Sequence, residues 1–230
     1  IYGNPSSIYT EGQQAAEALN DARERIALRL GCTAKEITFT SGGSEADNQA
    51  IFTAARAGER QGKRHIISSA FEHHAVLHTL DALKKQGFDI TLLEIPENGV
   101  IAAQQVEDAI RDDTCLVTIM YVNNEVGTIQ PVEEIGAVCR RRGVLFHTDA
   151  VQAAGHIPID VSRQNIDMLS LSAHKFHGPK GAGALYARRG IGLENVIYGG
   201  GQERGKRAGT ENVPAIMGMA AALDEACEAM

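Results

Sequence analysis

The chain has 230 residues, of which 43% are hydrophobic and 22% are charged, and its formal net charge is -7 at pH 7. This composition is typical of a globular protein and excludes a disordered or collagenous chain. The longest apolar runs are only as long as strands, so we expect no membrane-spanning helix. The first residues, IYGNPSSIYTEG, show neither the basic nor the apolar region of a signal peptide, which favours a cytoplasmic protein. The lysines and arginines are scattered, which argues against nucleic acid as a partner and favours a small-molecule ligand.

The four cysteines show no metal-ligand spacing. They are Cys32, Cys115, Cys139 and Cys227. They form no CxxC pair, and no histidine stands near them at the spacing of zinc ligands. Cys115 and Cys139 lie in apolar segments, which favours buried and unreactive thiols. We therefore expect neither a metal site nor a disulfide framework.

Helical and strand patterns alternate along the chain. In the first predicted helix, residues 11–30, apolar positions recur at spacings of three and four, and Gly31 follows as a C-cap. Seven β-rich segments are predicted as strands: 37–40, 65–69, 90–95, 116–122, 144–148, 168–172 and 183–187. Further helices are predicted at 45–56, 75–86, 102–110, 132–142 and 214–229.

These strands are apolar on both faces and are mostly joined by helical crossovers. The pattern predicts an α/β fold with a mostly parallel seven-stranded sheet that is covered by helices on both faces. The loop before the seventh strand is too short for a helix, so that strand could pair antiparallel. The sequence has no internal repeat and no linker, which predicts one domain over residues 1–230.

Residues 41–45, with the sequence SGGSE, stand between the first predicted strand and the second predicted helix. Backbone N–H groups at such a helix N-terminus can bind a phosphate, and Ser44 adds a hydroxyl group. An ordinary capped strand-to-helix turn explains the segment equally well, because the sequence matches neither a GxGxxG motif nor a Walker loop.

Two other strand ends carry residues that suit a site for pyridoxal 5'-phosphate (PLP). Lys175, in SAHKFHGPKG, follows a buried strand and lies at the sheet edge where α/β proteins bind ligands. It can form a Schiff base there, although a lysine near a loop is usually a solvated charge. Asp149, in HTDAVQ, ends an apolar strand, where an unpaired carboxylate is costly. A protonated pyridine nitrogen would be its partner, and a helix N-cap is the alternative.

The three strand ends come in the chain order of PLP enzymes of the aspartate aminotransferase fold type. The chain as a whole resembles cysteine desulfurases of the NifS/IscS type, within the class-V aminotransferases. The resemblance covers nearly the whole chain through blocks that follow the family's order: GNPSSIYTEG, FTSGGSEADN, EHHAV, VNNEVGTIQP, HTDAVQAAG, SAHKFHGPKGAGALY and GGGQERGKRAGT. It implies the PLP-binding large domain of the PLP-dependent transferase fold type I.

The resemblance implies a role for ten residues. Lys175 would bind PLP covalently, and Asp149 would pair with the pyridine nitrogen. Gln152 would donate to the phenolic oxygen, and Asn124 would lie near that oxygen and the substrate. His73 would stack on the ring and help to move protons. The phosphate would contact Gly43, Ser44, Ser172, His174 and, from the partner subunit, Thr210.

The resemblance also implies a reaction and partners. L-cysteine would lose its sulfur, giving L-alanine and an enzyme persulfide for iron–sulfur cluster assembly or other sulfur transfer. Thr210 implies a homodimer with composite active sites, and a sulfur-acceptor or iron–sulfur scaffold protein would be a further partner.

The family's catalytic cysteine and its substrate-carboxylate arginine would fall beyond Met230. We therefore expect a large domain cut at both ends, without the small C-terminal domain and incomplete for turnover. The alternatives are a related PLP lyase or aminotransferase, such as a selenocysteine lyase, and a catalytically incomplete scaffold.

Overall fold

The computed structural model describes residues 2–230 and contains the predicted alternation of helices and strands. The strands are β1 (Ile37–Thr40), β2 (His65–Ser69), β3 (Asp89–Leu93), β4 (Thr114–Thr118), β5 (Leu145–Asp149), β6 (Met168–Ser172) and β7 (Gly183–Ala187). The helices are α1 (Thr10–Leu30), α2 (Gly43–Glu59), α3 (His74–Lys84), α4 (Ala103–Ala109), α5 (Val132–Arg142) and α6 (Val213–Glu228).

The strands of the described residues form one seven-stranded sheet in the order β1-β7-β6-β5-β4-β2-β3. The neighbours from β3 to β6 pair parallel, whereas β7 pairs antiparallel with both β6 and β1. The prediction of a mostly parallel sheet with an antiparallel last strand is therefore confirmed. The carboxyl ends of four adjacent parallel strands, β2, β4, β5 and β6, meet at one edge of the sheet.

The sheet is covered on both faces. Every residue of β1, β2, β4, β6 and β7 is buried, whereas the edge strand β3 is partly exposed. Apolar residues of α1, α5 and α6 form one hydrophobic cluster with the sheet, and those of α2 and α3 form a second. The C-cap of α1 is Gly31 in the left-handed region, at φ 70°, as predicted.

The largest difference from the predicted strands concerns β4. It ends at Thr118 rather than at residue 122. The N–H groups of Ile119 and Tyr121 still donate to carbonyls of β5, but on the side of β2 the Met120 N–H donates to the buried carboxylate of Glu72 (2.9 Å). The chain then leaves β2 and forms the loop that contains Asn124. No helix within residues 2–230 combines the length and apolar composition that a bilayer-spanning segment needs.

Candidate active site

A cavity of about 260 Å³ lies at the carboxyl ends of the parallel strands. Its position agrees with the ligand-binding edge of open α/β sheets. Nine of the ten predicted site residues line it. They are Gly43, Ser44, His73, Asn124, Asp149, Gln152, Ser172, His174 and Lys175. Thr210 is exposed and does not line this cavity, so its role toward a partner subunit stays a prediction.

One end of the cavity is suited to an anion. Helix α2 begins there, and no side chain caps its N-terminus, so the N–H groups of its first turn are available to a ligand. A side chain at Gly43 would clash with Val151, since a Cβ would lie 2.6 Å from the Val151 Cγ2. Ser172 Oγ and His174 Nδ1, 2.9 Å apart, add polar groups to the same cavity.

Two titratable neighbours of this end of the cavity, Glu45 and His174, differ in charge. Burial would raise the pKa of Glu45, but hydrogen bonds from Arg207 (2.8 Å) and from the Ser41 N–H hold that pKa below its ordinary value. The carboxylate of Glu45 is thus already paired. Burial lowers the pKa of His174, and the positive charges of Lys175 and Lys180 lower it further. His174 therefore acts as a neutral hydrogen-bonding group at neutral pH.

Asp149, at the end of β5, lines the same cavity. Its side chain is buried, and its Oδ1 accepts the Val151 N–H at 2.9 Å. Burial raises the pKa of Asp149, against that hydrogen bond and the positive charges of His73 and Lys175. The residues after Asp149 form successive turns rather than an α-helix, so the N-cap alternative is wrong, although the Asp149 oxygen does accept a backbone N–H.

Lys175 and His73 approach the cavity from two different strand ends. Lys175 lies in a short 3-10 turn directly after β6, which the buried Phe176 anchors. His73 is the N-cap of α3, and its Nδ1 accepts the Ala75 N–H at 3.1 Å. This bond fixes the ring and leaves Nε2 for contact with a ligand. The predicted grouping of these residues is therefore present in the structure.

Three lining residues were not predicted: Asp47, Met120 and Val151. Asp47 stands one turn after Gly43 on the apolar face of α2, between the buried Ala46 and Ala50. The local sequence around Asp47 is polar, so its burial becomes visible only when the helix face that contacts the sheet is known.

The loop after β4 is held by a residue that the sequence did not single out. Asn123, next to the predicted Asn124, is buried, and its amide donates to the Phe71 carbonyl at 2.9 Å. Its side-chain oxygen accepts the N–H groups of Glu125 and Val126, both at 2.9 Å. Asn123 therefore fixes the loop that presents Asn124 to the cavity.

None of the four cysteines lines the cavity. Burial raises the pKa of Cys115 to about 11 and the pKa of Cys139 to about 12. It also raises the pKa of Cys32 to about 12 and that of Cys227 above its ordinary value. These thiols are protonated at neutral pH, which makes them poor nucleophiles.

Comparison with known proteins identifies the family. The family model for aminotransferase class-V matches residues 1–229. The chain belongs to the aminotransferase class-V family. Over 229 residues it is 52% identical to a cysteine desulfurase IscS of Clostridium botulinum, a match that covers 100% of this chain. Over 223 residues it is 53% identical to a cysteine desulfurase IscS of Methanosarcina thermophila, which covers 97% of this chain.

Solved structures show the same similarity. A structure described as SspA in complex with cysteine has a TM-score of 0.94 and 48% identity, covering 97% of this chain and 65% of that chain. A NifS-like protein has a TM-score of 0.95 and 44% identity, covering 99% of this chain and 62% of that chain. The chain spans 57% and 55% of the length of the two IscS relatives.

PLP is the cofactor of class-V aminotransferases and cysteine desulfurases. The site fits this group on three grounds. The uncapped N-terminus of α2 suits its phosphate. The buried carboxylate of Asp149 accepts one backbone N–H and, among residues 2–230, forms no ion pair with a cationic side chain, which suits a protonated ring nitrogen. Lys175 lines the same cavity, and the amine that it carries suits the aldehyde.

Proposed function

We propose that residues 1–230 form the PLP-binding large domain of a cysteine desulfurase of the NifS/IscS type. The observation that carries this proposal is the convergence of Lys175, Asp149 and the N-terminus of α2 on one cavity. In the proposed reaction, L-cysteine becomes L-alanine and its sulfur passes to a cysteine thiolate of the enzyme as a persulfide. The identity of 52% to an IscS relative and of 48% to a protein solved with cysteine supports this substrate.

Each predicted residue of the cavity has a part in this proposal. When bound, PLP supplies an aldehyde for the substrate amine and a ring that accepts the electron pair released at the α-carbon. Lys175 holds the cofactor covalently, and its freed amine moves the α-proton. Asp149 stabilises the positive ring nitrogen. His73 stacks on the ring and passes protons through Nε2, while Gln152 donates to the phenolic oxygen.

The remaining residues position the group. Asn124 lies beside the phenolic oxygen and the substrate in this proposal. Backbone N–H groups at Gly43 and Ser44, the Ser44 hydroxyl, Ser172 and His174 bind the phosphate. Thr210 completes the phosphate site of the partner subunit, which makes the enzyme a homodimer with composite sites. The proposed partners also include a sulfur-acceptor or iron–sulfur scaffold protein, in the cytoplasm.

The four cysteines present do not fit the sulfur-accepting role. They do not line the cavity, and burial raises the pKa of each thiol. A persulfide forms on a thiolate that reaches the substrate sulfur, so we propose that the nucleophile and the arginine that binds the substrate carboxylate lie outside residues 1–230. We therefore expect this chain to bind the cofactor but not to turn over cysteine.

The test incubates the chain with PLP and L-cysteine, without reductant, and measures alanine by chromatography and sulfur adducts by mass spectrometry. The Clostridium botulinum relative, at its full length, serves as the positive control. We expect a change of the cofactor absorbance on addition of cysteine, but no persulfide on the chain and negligible alanine. Alanine at the rate of the control, with a persulfide on one of the four cysteines, would contradict the assignment of the nucleophile. A chain that takes up no PLP would contradict the proposed function itself.

A further inference from the structure

The cavity contains a second buried acid for which the proposed chemistry has no use. Asp47, on α2, is 1% exposed, and its Oδ1 has no hydrogen-bond partner within the described part of the chain. No lysine or arginine of residues 2–230 forms an ion pair with it. An ionised carboxylate in this position would be a buried, unpaired charge, which is among the most costly arrangements in a protein.

The groups that face Asp47 cannot supply the missing positive charge. The nearest basic group is His147 of β5, whose Nε2 lies 3.7 Å from the Asp47 Oδ1. The two nitrogens of that ring already contact hydroxyl groups, Nδ1 with Thr118 Oγ1 at 2.8 Å and Nε2 with Ser170 Oγ at 3.0 Å. Complete burial lowers the pKa of His147 to about 3, so the ring is neutral.

The other titratable groups near Asp47 are acids. Burial raises the pKa of Asp47 well above its ordinary value, the negative charges of Asp149 and Glu72 act in the same direction, and the nearby Ser170 hydroxyl only partly opposes them. Among the described residues, the positive charge of Lys175 lowers the pKa of Asp149, whereas no cationic group lowers that of Asp47. Negative charge is therefore favoured on Asp149, whereas Asp47, like Glu72 with its pKa raised to about 8, holds a proton.

We propose that Asp47 is a positioning residue that keeps its proton at neutral pH, before and after the cofactor binds, so that Asp149 is the single ionised carboxylate beside the cationic ring nitrogen. The statement about the ring nitrogen rests on the proposed function. A second ionised carboxylate on α2 would compete with Asp149 for the same cation and draw the ring away from β5. An uncharged Asp47 removes that competitor.

The direct test is infrared difference spectroscopy of the chain at pH 7, with and without PLP. A protonated carboxylic acid has a C=O stretching band that a carboxylate lacks. Subtracting the spectrum of Asp47→Asn from that of the wild-type chain should reveal one such band in both states. Glu72→Gln is the matched control, because Glu72 is the neighbouring buried acid and should contribute a separate band. Absence of the Asp47 band, or its loss when PLP is added, would overturn the proposal.

A second readout follows the absorbance of bound PLP against pH. An uncharged Asp47 predicts that Asp47→Asn leaves the titration midpoint of the chromophore in place, whereas Asp47→Leu, which loses the polar group, weakens PLP affinity by about tenfold. An ionised Asp47 predicts instead that Asp47→Asn shifts the midpoint by about one pH unit or more, because it removes a charge near the ring. The infrared band of the chain without PLP can be measured even if no PLP binds, so failure of this proposal and failure of the proposed function are distinguishable.

Discussion

Glu203 and Asp47 are both acidic and both almost fully buried, yet their surroundings differ. Glu203 receives two hydrogen bonds from the guanidinium group of Arg23, at 2.6 and 2.7 Å, and one from the Phe39 N–H at 2.8 Å. The same guanidinium group lies 4.4 Å from the centre of the Phe39 ring. Asp47 has no cationic partner among the described residues. The charge of Glu203 is therefore neutralised within the chain, whereas Asp47 avoids an unpaired charge by keeping its proton.

This difference separates a structural site from a ligand site. The pair of Arg23 and Glu203 fastens the loop around Glu203 to α1 and to the edge strand β1. At the cavity, the buried acids Asp47, Glu72 and Asp149 lie close enough to raise one another's pKa. Neither Asp47 nor Glu72 is paired with an arginine or lysine of the described residues. Because Asp47 and Glu72 keep their protons, Asp149 is the acid that awaits a cationic ligand, and binding of that ligand stabilises the folded chain.

Breaking the structural pair should have the largest effect. Glu203→Gln leaves the Arg23 guanidinium buried without a counter-charge, and we expect the free energy of unfolding to fall by about 3–5 kcal/mol. Urea denaturation of the chain measures this change. The matched control is Glu107→Gln, which breaks the more exposed pair with Arg141 (3.1 Å) and should cost no more than about 1 kcal/mol. Equal costs for the two variants would contradict the comparison.

Removing the charge from the ligand site should affect chemistry rather than folding. Asp149→Asn leaves the cavity shape unchanged but removes the negative charge that stabilises the ring nitrogen, and we expect the rate of α-proton removal from cysteine to fall by about 10²–10³-fold. Exchange of the α-proton with deuterium from the solvent, followed by NMR, measures that step in the PLP-loaded chain. Asp112→Asn, at an exposed aspartate, is the control. Wild-type exchange in Asp149→Asn would show that this carboxylate has no role at the ring.

The unmatched acids should also make stability depend on pH. Burial raises the pKa of Glu72 to about 8 from its ordinary value of 4.5. Between these two values the folded chain keeps a proton that the unfolded chain loses, so stability should fall as pH rises, by at most about 1.4 kcal/mol per pH unit. Urea denaturation of the chain without PLP at pH 5, 6, 7 and 8 measures the slope.

Glu72→Gln supplies the control for that slope. Its side-chain oxygen can still accept the bonds from Ser69 and from the Met120 N–H, but the residue no longer titrates. The part of the decrease in stability with pH that is due to Glu72 should be absent from this variant. An unchanged slope would mean that Glu72 is ionised in the folded chain.

The strands of the sheet could be predicted from the sequence, whereas the positions of the buried acids could be predicted only in part. Short β-rich runs that are apolar on both faces identified all seven strands, because a buried parallel strand leaves that pattern locally. Asp149 was recognisable because it ends such a run. Asp47 was not, since a single acid on a helix is consistent with a solvated position until the helix face that contacts the sheet is known.

The ion pair of Arg23 and Glu203 shows a different limit. The two residues are 180 positions apart, and nothing near either of them in the sequence indicates the other. Glu203 also has a left-handed backbone conformation, at φ 47°. Glycine is the usual residue in that conformation, and the loop contains several glycines, yet the position is occupied by a glutamate. Only the folded chain shows that the Glu203 carboxylate contacts the first helix through Arg23.

The most direct test of the cavity as a PLP site is reduction of the loaded chain with borohydride, followed by peptide mapping. Lys175 lies in the cavity, whereas Lys180 is exposed and outside it. We predict that the reduced cofactor is attached to the peptide with Lys175, that Lys175→Ala abolishes the label, and that Lys180→Ala keeps it. Attachment to Lys180 or Lys206, with Lys175 unlabelled, would contradict the assignment of the site.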